Sequence, residues 1–250
     1  MVRTLLVCGM LTGVLAGLLV FGFLKLYGEP QVDRAIAFET QMDEAKAAAE
    51  RAKGMKVEEE PELVSRKVQA SIGLFTAVMV YSTAFGGLFA LVFAFAYGRM
   101  PGAFTPRGVS LLLAAIGFVA IYAVPNLKYP ANPPSIGNPA TIGVRTALYF
   151  GMIAISIAAM VCSISLKRLL LPRFGDWNAT LMAAAFYVVL VIVAGLVLPT
   201  VNEVPAGFPA AVLWNFRMAS LGAQAIMWTT LAFVFGAAAH RAIARDGLTG

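Results

Sequence analysis

The feature that most constrains this chain is a set of six apolar stretches, each long enough to cross a lipid bilayer. None of them contains an acidic residue, and the few basic residues inside them lie near their ends. Backbone groups in lipid must hydrogen-bond to one another, which favours helices over open strands. We therefore predict an all-α membrane protein with six transmembrane helices, at Thr4–Leu26, Val68–Tyr97, Val109–Leu127, Ile142–Leu166, Ala179–Leu198 and Val212–Ala239.

The composition of the whole chain agrees with this interpretation. Hydrophobic residues make up 60% of the 250 residues and charged residues 13%, against about 45–50% and 25% in soluble domains. Too little charge remains to cover a soluble surface, so soluble, disordered, nucleic-acid-binding and disulfide-stabilised classes are disfavoured. We expect residues 1–250 to form a single polytopic membrane domain in the lipid bilayer, with no nucleic acid partner.

The direction of the helices follows from the basic residues in the short loops, which favour the cytoplasmic side. The first stretch lacks a small-residue cleavage site, so we expect an uncleaved anchor helix. The distribution of the basic residues favours both termini in the cytoplasm. The six helices then form three hairpins with outward connections. In the short loops and the helix ends beside them, eight basic residues then lie inside and three outside. The inner ones are Arg3, Arg99, Arg107, Lys167, Arg168, Arg173, Arg241 and Arg245, and the outer ones are Lys128, Arg145 and Arg217.

The first outer connection, residues 27–67, is the one segment with a soluble character. Between Pro30 and Lys53, apolar residues recur every three or four positions among charged ones, which predicts an amphipathic helix that Gly54 ends. An acidic cluster follows at Glu58, Glu59, Glu60 and Glu62. This cluster is either a solvated connector or a mouth that collects cations.

The other two outer connections are rich in proline and asparagine, and an arginine follows each of them near the start of the returning helix. Proline fixes φ and lacks an N–H, so these loops are stiff and end the helices. Non-helical backbone near lipid is tolerated where it is buried or lines a water-filled cavity, as in transporter binding sites. The loops are therefore either tight turns or the walls of an outer vestibule. The vestibule candidates are Lys128, Tyr129, Asn132, Arg145, Asn202, Glu203, Arg217 and Gln224.

Glu203 is notable because acidic residues are scarce in the second half of the chain. Arg145 and Arg217 lie inside apolar stretches, where an ionisable residue costs about 2.5–3.5 kcal/mol at mid-helix and less near an end. A charged partner would offset that cost. We predict that Glu203 pairs with Arg217 in the vestibule.

Gly9, Gly13 and Gly17 recur at four-residue spacing in the first apolar stretch. Glycine at this spacing lets two helix backbones approach closely. We predict that this face packs against another helix.

Three segments carry a family likeness. They are LKYPANPPSIGNPATIGVRTALYF from Leu127 to Phe150, WNATL from Trp177 to Leu181, and NEVPAGFPAAVLWNFRMASLGAQ from Asn202 to Gln224. These segments resemble the CbtA family of proposed cobalt transporter subunits. The resemblance implies a bacterial cytoplasmic (inner) membrane protein that takes up Co²⁺ for cobalamin synthesis, accompanied by a small one-span partner with a histidine-rich motif. Many relatives carry histidines after the first span, whereas this chain has none in that loop.

Side chains that bind cobalt strongly are scarce in this sequence. Cobalt prefers imidazole and carboxylate ligands, with thiolate possible, and the chain holds one histidine, His240, and two cysteines, Cys8 and Cys162. We interpret these three as ordinary interfacial or buried residues, so no metal cage is visible. The sequence also lacks a G-x-x-x-x-G-K-[ST] phosphate loop and paired catalytic carboxylates, and we expect neither an enzyme nor a resident cofactor.

Two functions remain open. The first is a transport subunit for a divalent cation, cobalt by resemblance, with a path lined by Asn, Glu and backbone carbonyls and fed by a metal-binding partner. The second is a non-transporting structural or assembly subunit of a larger membrane complex, as a homo- or hetero-oligomer. The outer arginines count mildly against a cation path unless carboxylates neutralise them.

Overall fold

The computed structural model describes residues 1–54, 64–99, 104–134 and 136–248. Within these ranges the secondary structure is helical, without strands. Five of the described helices are long and apolar enough to cross a membrane. They are α1 (Val2–Ala52), α2 (Arg66–Tyr97), α3 (Pro106–Lys128), α4 (Pro139–Val197) and α5 (Ala210–Arg245).

Helix α1 joins the first apolar stretch and the amphipathic segment into one continuous helix. The sequence analysis ends the first span at Leu26 and predicts a separate amphipathic helix from Pro30, but a π-helical turn at Leu24–Gly28 leads directly into Glu29–Ala52. Proline is tolerated at the second position of this segment because the π turn has already displaced the regular hydrogen bonds, so its missing N–H costs little. The helix ends before Gly54, as predicted. The acidic cluster at Glu58, Glu59, Glu60 and Glu62 lies outside the described residues.

Helix α4 contains both the fourth and the fifth predicted stretches, so the described residues hold five long apolar helices where the sequence predicts six. Its segment Ile142–Val197 is 56 residues long and is interrupted at Gly175, where φ is 73° and ψ is 169°. That backbone conformation is open essentially to glycine alone. Pro172, three residues earlier, lacks the N–H that a regular helix needs. Lys167 and Asp176 form an ion pair at 3.0 Å on either side of these two residues.

The described chain divides into two compact units. Unit 1 comprises the described residues of 1–115, 132–134 and 207–248, and it includes α1, α2 and α5. Unit 2 comprises Ile116–Ala131 and Ile136–Ala206, and it includes α4.

Unit 1 is built on a close contact between α1 and α2. A Cβ on Gly9 would lie 2.5 Å from the Cβ of Ala90, and a Cβ on Gly13 would lie 2.9 Å from the Cα of Thr83. Gly17 faces the same helix. The glycine face predicted for packing is therefore the surface on which α1 meets α2.

Side chains from neighbouring helices bond to the π-helical turns of unit 1. A π turn displaces backbone carbonyls from their regular partners, so those oxygens accept other donors. The Ser110 hydroxyl lies 3.2 Å from the carbonyl oxygen of Leu231 and 3.0 Å from that of Ala232. Lys25 Nζ donates to the carbonyl oxygen of Ala70 at 2.8 Å. These bonds tie α3 to α5 and α1 to α2.

Unit 2 has its own buried core. Tyr187 and Ser156, both buried, share a hydrogen bond of 2.8 Å between their hydroxyl groups. Satisfying these hydroxyls avoids the cost of an unpaired buried polar group. The core cluster consists of Val124, Tyr129, Met152, Ala159 and Tyr187.

Candidate functional site

Glu203 lies at the centre of a hydrogen-bonded cluster in unit 2. Its carboxylate accepts hydrogen bonds from the backbone N–H of Asn138 and the hydroxyl of Thr141, both at 2.7 Å, and Arg145 Nε lies 3.4 Å away. Pro139–Thr141 forms the first turn of α4, with Asn138 as its N-cap. The free N–H groups at a helix start attract a carboxylate, which explains the position of Glu203.

Gly137 makes room for the side chain of Arg145. Its φ is 120°, and a Cβ there would lie 2.5 Å from the guanidinium carbon of Arg145. Arg145 Nη1 and Nη2 lie 3.4 Å from the carbonyl oxygens of Ile136 and Asn138. The loop therefore surrounds the arginine charge with oxygen atoms.

These contacts set the charge state of Glu203. The hydrogen bond from Thr141 lowers its pKa most, the backbone N–H of Asn138 lowers it next, burial acts in the opposite direction, and the charge of Arg145 contributes least. Glu203 is therefore ionised at neutral pH, with both carboxylate oxygens engaged by the loop. Its role in this structure is to hold the loop against the start of α4.

Within unit 2 the ion pair of Glu203 is with Arg145, whereas the sequence predicts Arg217 as its partner. The start of α4 offers N–H, hydroxyl and guanidinium donors together, and a single arginine inside a helix cannot match that set. Arg217 belongs to unit 1, where its Nη2 donates to Asn132 Oδ1 at 2.9 Å. Asn132 and Arg217 thus form a polar contact of their own.

The remaining vestibule candidates of the outer loops have different surroundings. Tyr129 is buried, and its hydroxyl donates to the carbonyl oxygen of Pro199 at 2.8 Å. Lys128 Nζ lies 5.8 Å from the centroid of the Tyr129 ring, within cation–π range. Asn202 is exposed beside Glu203. Tyr129 therefore fastens its loop, while Lys128 and Asn202 leave polar groups accessible.

Gln224 lies in unit 1, on the wall of a cavity of about 310 Å³ between α1, α2 and α5. Most of this wall is apolar, and its polar members are few. The hydroxyl of Tyr81 hydrogen-bonds to the side chain of Gln224. The polar side chains on the wall are Glu29, Tyr81, Ser82, Ser220 and Gln224.

Glu29 carries the negative charge of this cavity wall. Its side chain is 11% exposed and forms an ion pair with Arg66. Arg66 also binds Asp33, at 3.0 Å through Nε and 2.8 Å through Nη2. Asp33 is 63% exposed. One guanidinium therefore bridges a buried carboxylate on the cavity and an exposed carboxylate one helical turn further along α1.

Ser82 is the second unusual group on the wall. It is fully buried, yet within the described residues its hydroxyl has no hydrogen-bond partner. A serine in a helix usually bonds to the carbonyl four residues earlier. An unused buried hydroxyl costs free energy unless something else binds it.

The sequence analysis did not select Glu29, Asp33, Arg66 or Ser82 as site residues. A signal was present, because Glu29 and Asp33 are four residues apart directly after an apolar stretch, which places them on one helix face. Arg66 stands at the start of a returning helix, as Arg145 does. What the sequence does not indicate is that α1 stays helical through Gly28, which sets the direction in which Glu29 projects.

A preformed metal cage is not part of this arrangement. The described residues contain no group of three or more His, Cys, Asp or Glu side chains placed to hold a metal ion. Cys162 is exposed and Cys8 is half-buried. His240 is half-buried, with an Nδ1 that has no hydrogen-bond partner among the described residues.

Comparison with known proteins identifies one family. The family model of the probable cobalt transporter subunit (CbtA) matches residues 2–240, nearly the whole chain. No curated protein matches, and no solved structure matches.

Proposed function

The chain belongs to the CbtA family, and from this we propose that it is an integral membrane subunit of a cobalt (divalent cation) uptake system. The observation that carries the proposal is the family match over residues 2–240 on a chain with five long apolar helices. Cobalt is the cargo here and not a resident cofactor. The protein is a transport subunit and not an enzyme.

The proposal places the chain in the bacterial cytoplasmic membrane as six spans in three hairpins, with both termini inside and residues 27–67 outside. The break at Gly175 supports two spans within α4, one on each side of it. Many long apolar side chains are exposed, including Leu11, Leu127 and Leu196. A surface of that kind is stable in lipid and costly in water.

The outer loops form the vestibule in this proposal. The bonds of Glu203 to the start of α4 and the contact of Asn132 with Arg217 hold the loops in defined conformations. Because two carbonyl oxygens lie beside Arg145 and the amide oxygen of Asn132 lies beside Arg217, these charges repel an approaching cation less than bare guanidinium groups would. Exposed Asn202 and half-buried Lys128 are the further polar residues of unit 2 that the proposal assigns to the vestibule.

A subunit implies partners. A small one-span protein with a histidine-rich motif would supply the high-affinity ligands that this chain lacks, and it would deliver the metal to the vestibule. The exposed apolar surface also leaves room for further copies of this chain or for other subunits.

A second function is favoured by one specific observation, the lack of a three-residue metal-ligand group in the described part of the chain. On that basis the chain would be a non-transporting structural or assembly subunit. Purification in a gentle detergent would then recover a stoichiometric partner complex, and recovery of a lone monodisperse chain would argue against this alternative.

The experiment that tests the transport proposal is the cobalt content of cells with and without the gene, at trace external metal. The host must lack other cobalt importers, because their background would hide a low-capacity system. We expect higher cobalt in cells that carry the gene together with its partner. Equal cobalt contents would contradict the proposal.

A further inference from the structure

We propose that the cavity of unit 1 is a phospholipid site, which takes one acyl chain into the cavity and a zwitterionic aminophospholipid headgroup at its polar end. This site goes beyond the proposed function and does not depend on it. The wall of the cavity is mostly apolar. An apolar cavity excludes water when it is empty, and its lining then lacks dispersion contacts on one side.

The cavity lies in a cleft that α2 and α5 leave open between them. Helix α1 packs along both of these helices, whereas α2 and α5 approach each other mainly at the π turn Leu231–Phe235. Toward the cavity, Phe85 packs on Trp228 with ring centroids 5.1 Å apart, and Tyr81 then hydrogen-bonds to Gln224. These two contacts close the cleft on one side, and the part beyond them is free to take a ligand.

Size decides between a lipid chain and a protein helix as the occupant. The cavity holds about 310 Å³, and its wall on α2 runs from Leu74 to Ser82, about 12 Å at 1.5 Å per residue. A helix of that length, about 10 Å wide with its side chains, occupies about 900 Å³. A methylene group takes about the volume of a water molecule in the liquid, about 30 Å³. About ten methylene groups of one acyl chain therefore fill the cavity.

The two ends of the cavity differ in polarity as the two ends of a lipid do. The deep end, at Val20 and Met227, lies within the apolar parts of α1 and α5. The other end, at Glu29, lies just past the first apolar stretch, which ends at Leu26. Charged groups in that position lie where hydrocarbon meets water. A lipid in the cavity therefore has its chain in the hydrocarbon and its headgroup beside Glu29.

The charges at this polar end favour a zwitterionic headgroup. Lys25 and Arg66 are positive and Glu29 and Asp33 are negative, so the four charges sum to zero. An anionic headgroup would be repelled by the carboxylates about as much as the two cations attract it. A headgroup that carries a phosphate and an ammonium meets an opposite charge with each of its groups.

The order of the charges along α1 matches the order of groups in an aminophospholipid. Lys25 is exposed and lies nearer the hydrocarbon, as the phosphate does. Asp33 lies further out and is 63% exposed. Arg66 binds Asp33 through Oδ1 alone, which leaves Oδ2 to accept N–H bonds from the ammonium. Glu29 keeps its ion pair with Arg66 throughout, so no buried charge loses its partner.

The test is lipid binding to the full chain, purified in a mild detergent and freed of lipid, with bound lipids counted by mass spectrometry of the intact complex. The probes are phosphatidylethanolamine, phosphatidylcholine and phosphatidylglycerol with identical acyl chains. We expect one saturable phosphatidylethanolamine per chain. Phosphatidylcholine should bind more weakly because its ammonium has no N–H, and phosphatidylglycerol because it has no positive charge. Equal affinities for the three lipids would overturn the proposal.

A matched pair of variants locates the acyl chain. Val78→Phe fills the cavity from α2 and should abolish the saturable site. The control is Val80→Phe, the same change in the same helix at a residue that is 65% exposed and outside the cavity wall. It should bind as the wild type does. Wild-type binding in Val78→Phe would refute the cavity as the site. A dimer of the chain that Val78→Phe dissociates would also refute it, because a second copy would then occupy the cavity.

A variant at the exposed polar end keeps the proposal testable if Val78→Phe fails to fold. Asp33→Asn should lower the preference for phosphatidylethanolamine over phosphatidylcholine about 2- to 5-fold, the range of an exposed charge pair. Its affinity for phosphatidylcholine should stay unchanged. The control is Asp43→Asn, at a residue of α1 that is 62% exposed and paired with Lys46, and it should keep the wild-type preference. The wild-type preference in Asp33→Asn would contradict the headgroup assignment.

Discussion

Replacement of Gly13 by alanine tests whether the contact between α1 and α2 depends on glycine. A Cβ at this position would lie 2.9 Å from the Cα of Thr83 and 3.0 Å from the carbonyl carbon of Ser82. These are backbone atoms, which cannot rotate away as a side chain can. The helices must therefore separate, and Ser82, which lines the cavity, must move with α2.

A matched control isolates the cost of this overlap. Gly22 lies in the same helix, and a Cβ there would meet nothing within 4 Å. Both substitutions gain the helix preference of alanine, about 0.5–1 kcal/mol, so this gain cancels in their difference. The difference is the overpacking cost of Gly13→Ala, about 1–3 kcal/mol.

The assay is the apparent melting temperature of each variant in nanodiscs. At about 2–4 °C per kcal/mol for a chain of this size, Gly13→Ala should melt about 2–12 °C below Gly22→Ala. Gly17→Ala should fall between them, because its nearest neighbour is the flexible Met79 side chain at 3.0 Å. Equal melting temperatures for Gly13→Ala and Gly22→Ala would refute the close backbone contact.

Three further predictions concern the outer loop and the break in α4. The folded pKa of Glu203 is lowered, so its stabilisation is present above its unfolded pKa and is lost as the pH falls through the folded pKa. Thr141→Val should raise that pKa more than Arg145→Gln, as measured by NMR titration of the carboxyl carbon, and the reverse order would contradict the ranking of causes. Gly137→Ala should displace the guanidinium of Arg145, seen as faster hydrogen exchange in its loop, and unchanged exchange would count against the overlap. Gly175→Ala should destabilise the protein by about 1–3 kcal/mol because its φ is positive, and a melting temperature equal to that of the wild type would contradict the break there.

The apolar stretches could be located from the sequence because helix length and lack of charge are local properties. The structure of the connections between these stretches could not be predicted in the same way. The run from Val2 to Ala52 continues through Pro30, since a π turn at Leu24–Gly28 absorbs the missing N–H. Pro172 and Gly175 indicate that the regular helix is interrupted there. The sequence alone does not distinguish a kink within one helical run from a loop between two helices.

The candidate site shows the same limit. Composition identified Glu203 as unusual, because it is one of few acidic residues in its half of the chain. Its partner depended on how a loop folds against the start of α4, where the donors Asn138, Thr141 and Arg145 converge. Gln224 was predicted to line the outer vestibule, whereas the structure shows it on the wall of the unit 1 cavity. Ser82 could be found only from the contact of α1 with α2.

The measurement that tests the central claim most directly is the initial rate of Co²⁺ uptake as a function of external Co²⁺. Cells carrying the wild-type gene with its partner are compared with cells lacking the gene, at matched membrane potential and in a host without other cobalt importers. The account predicts a saturable, gene-dependent component of uptake. Initial rates that are the same with and without the gene at every concentration would contradict it.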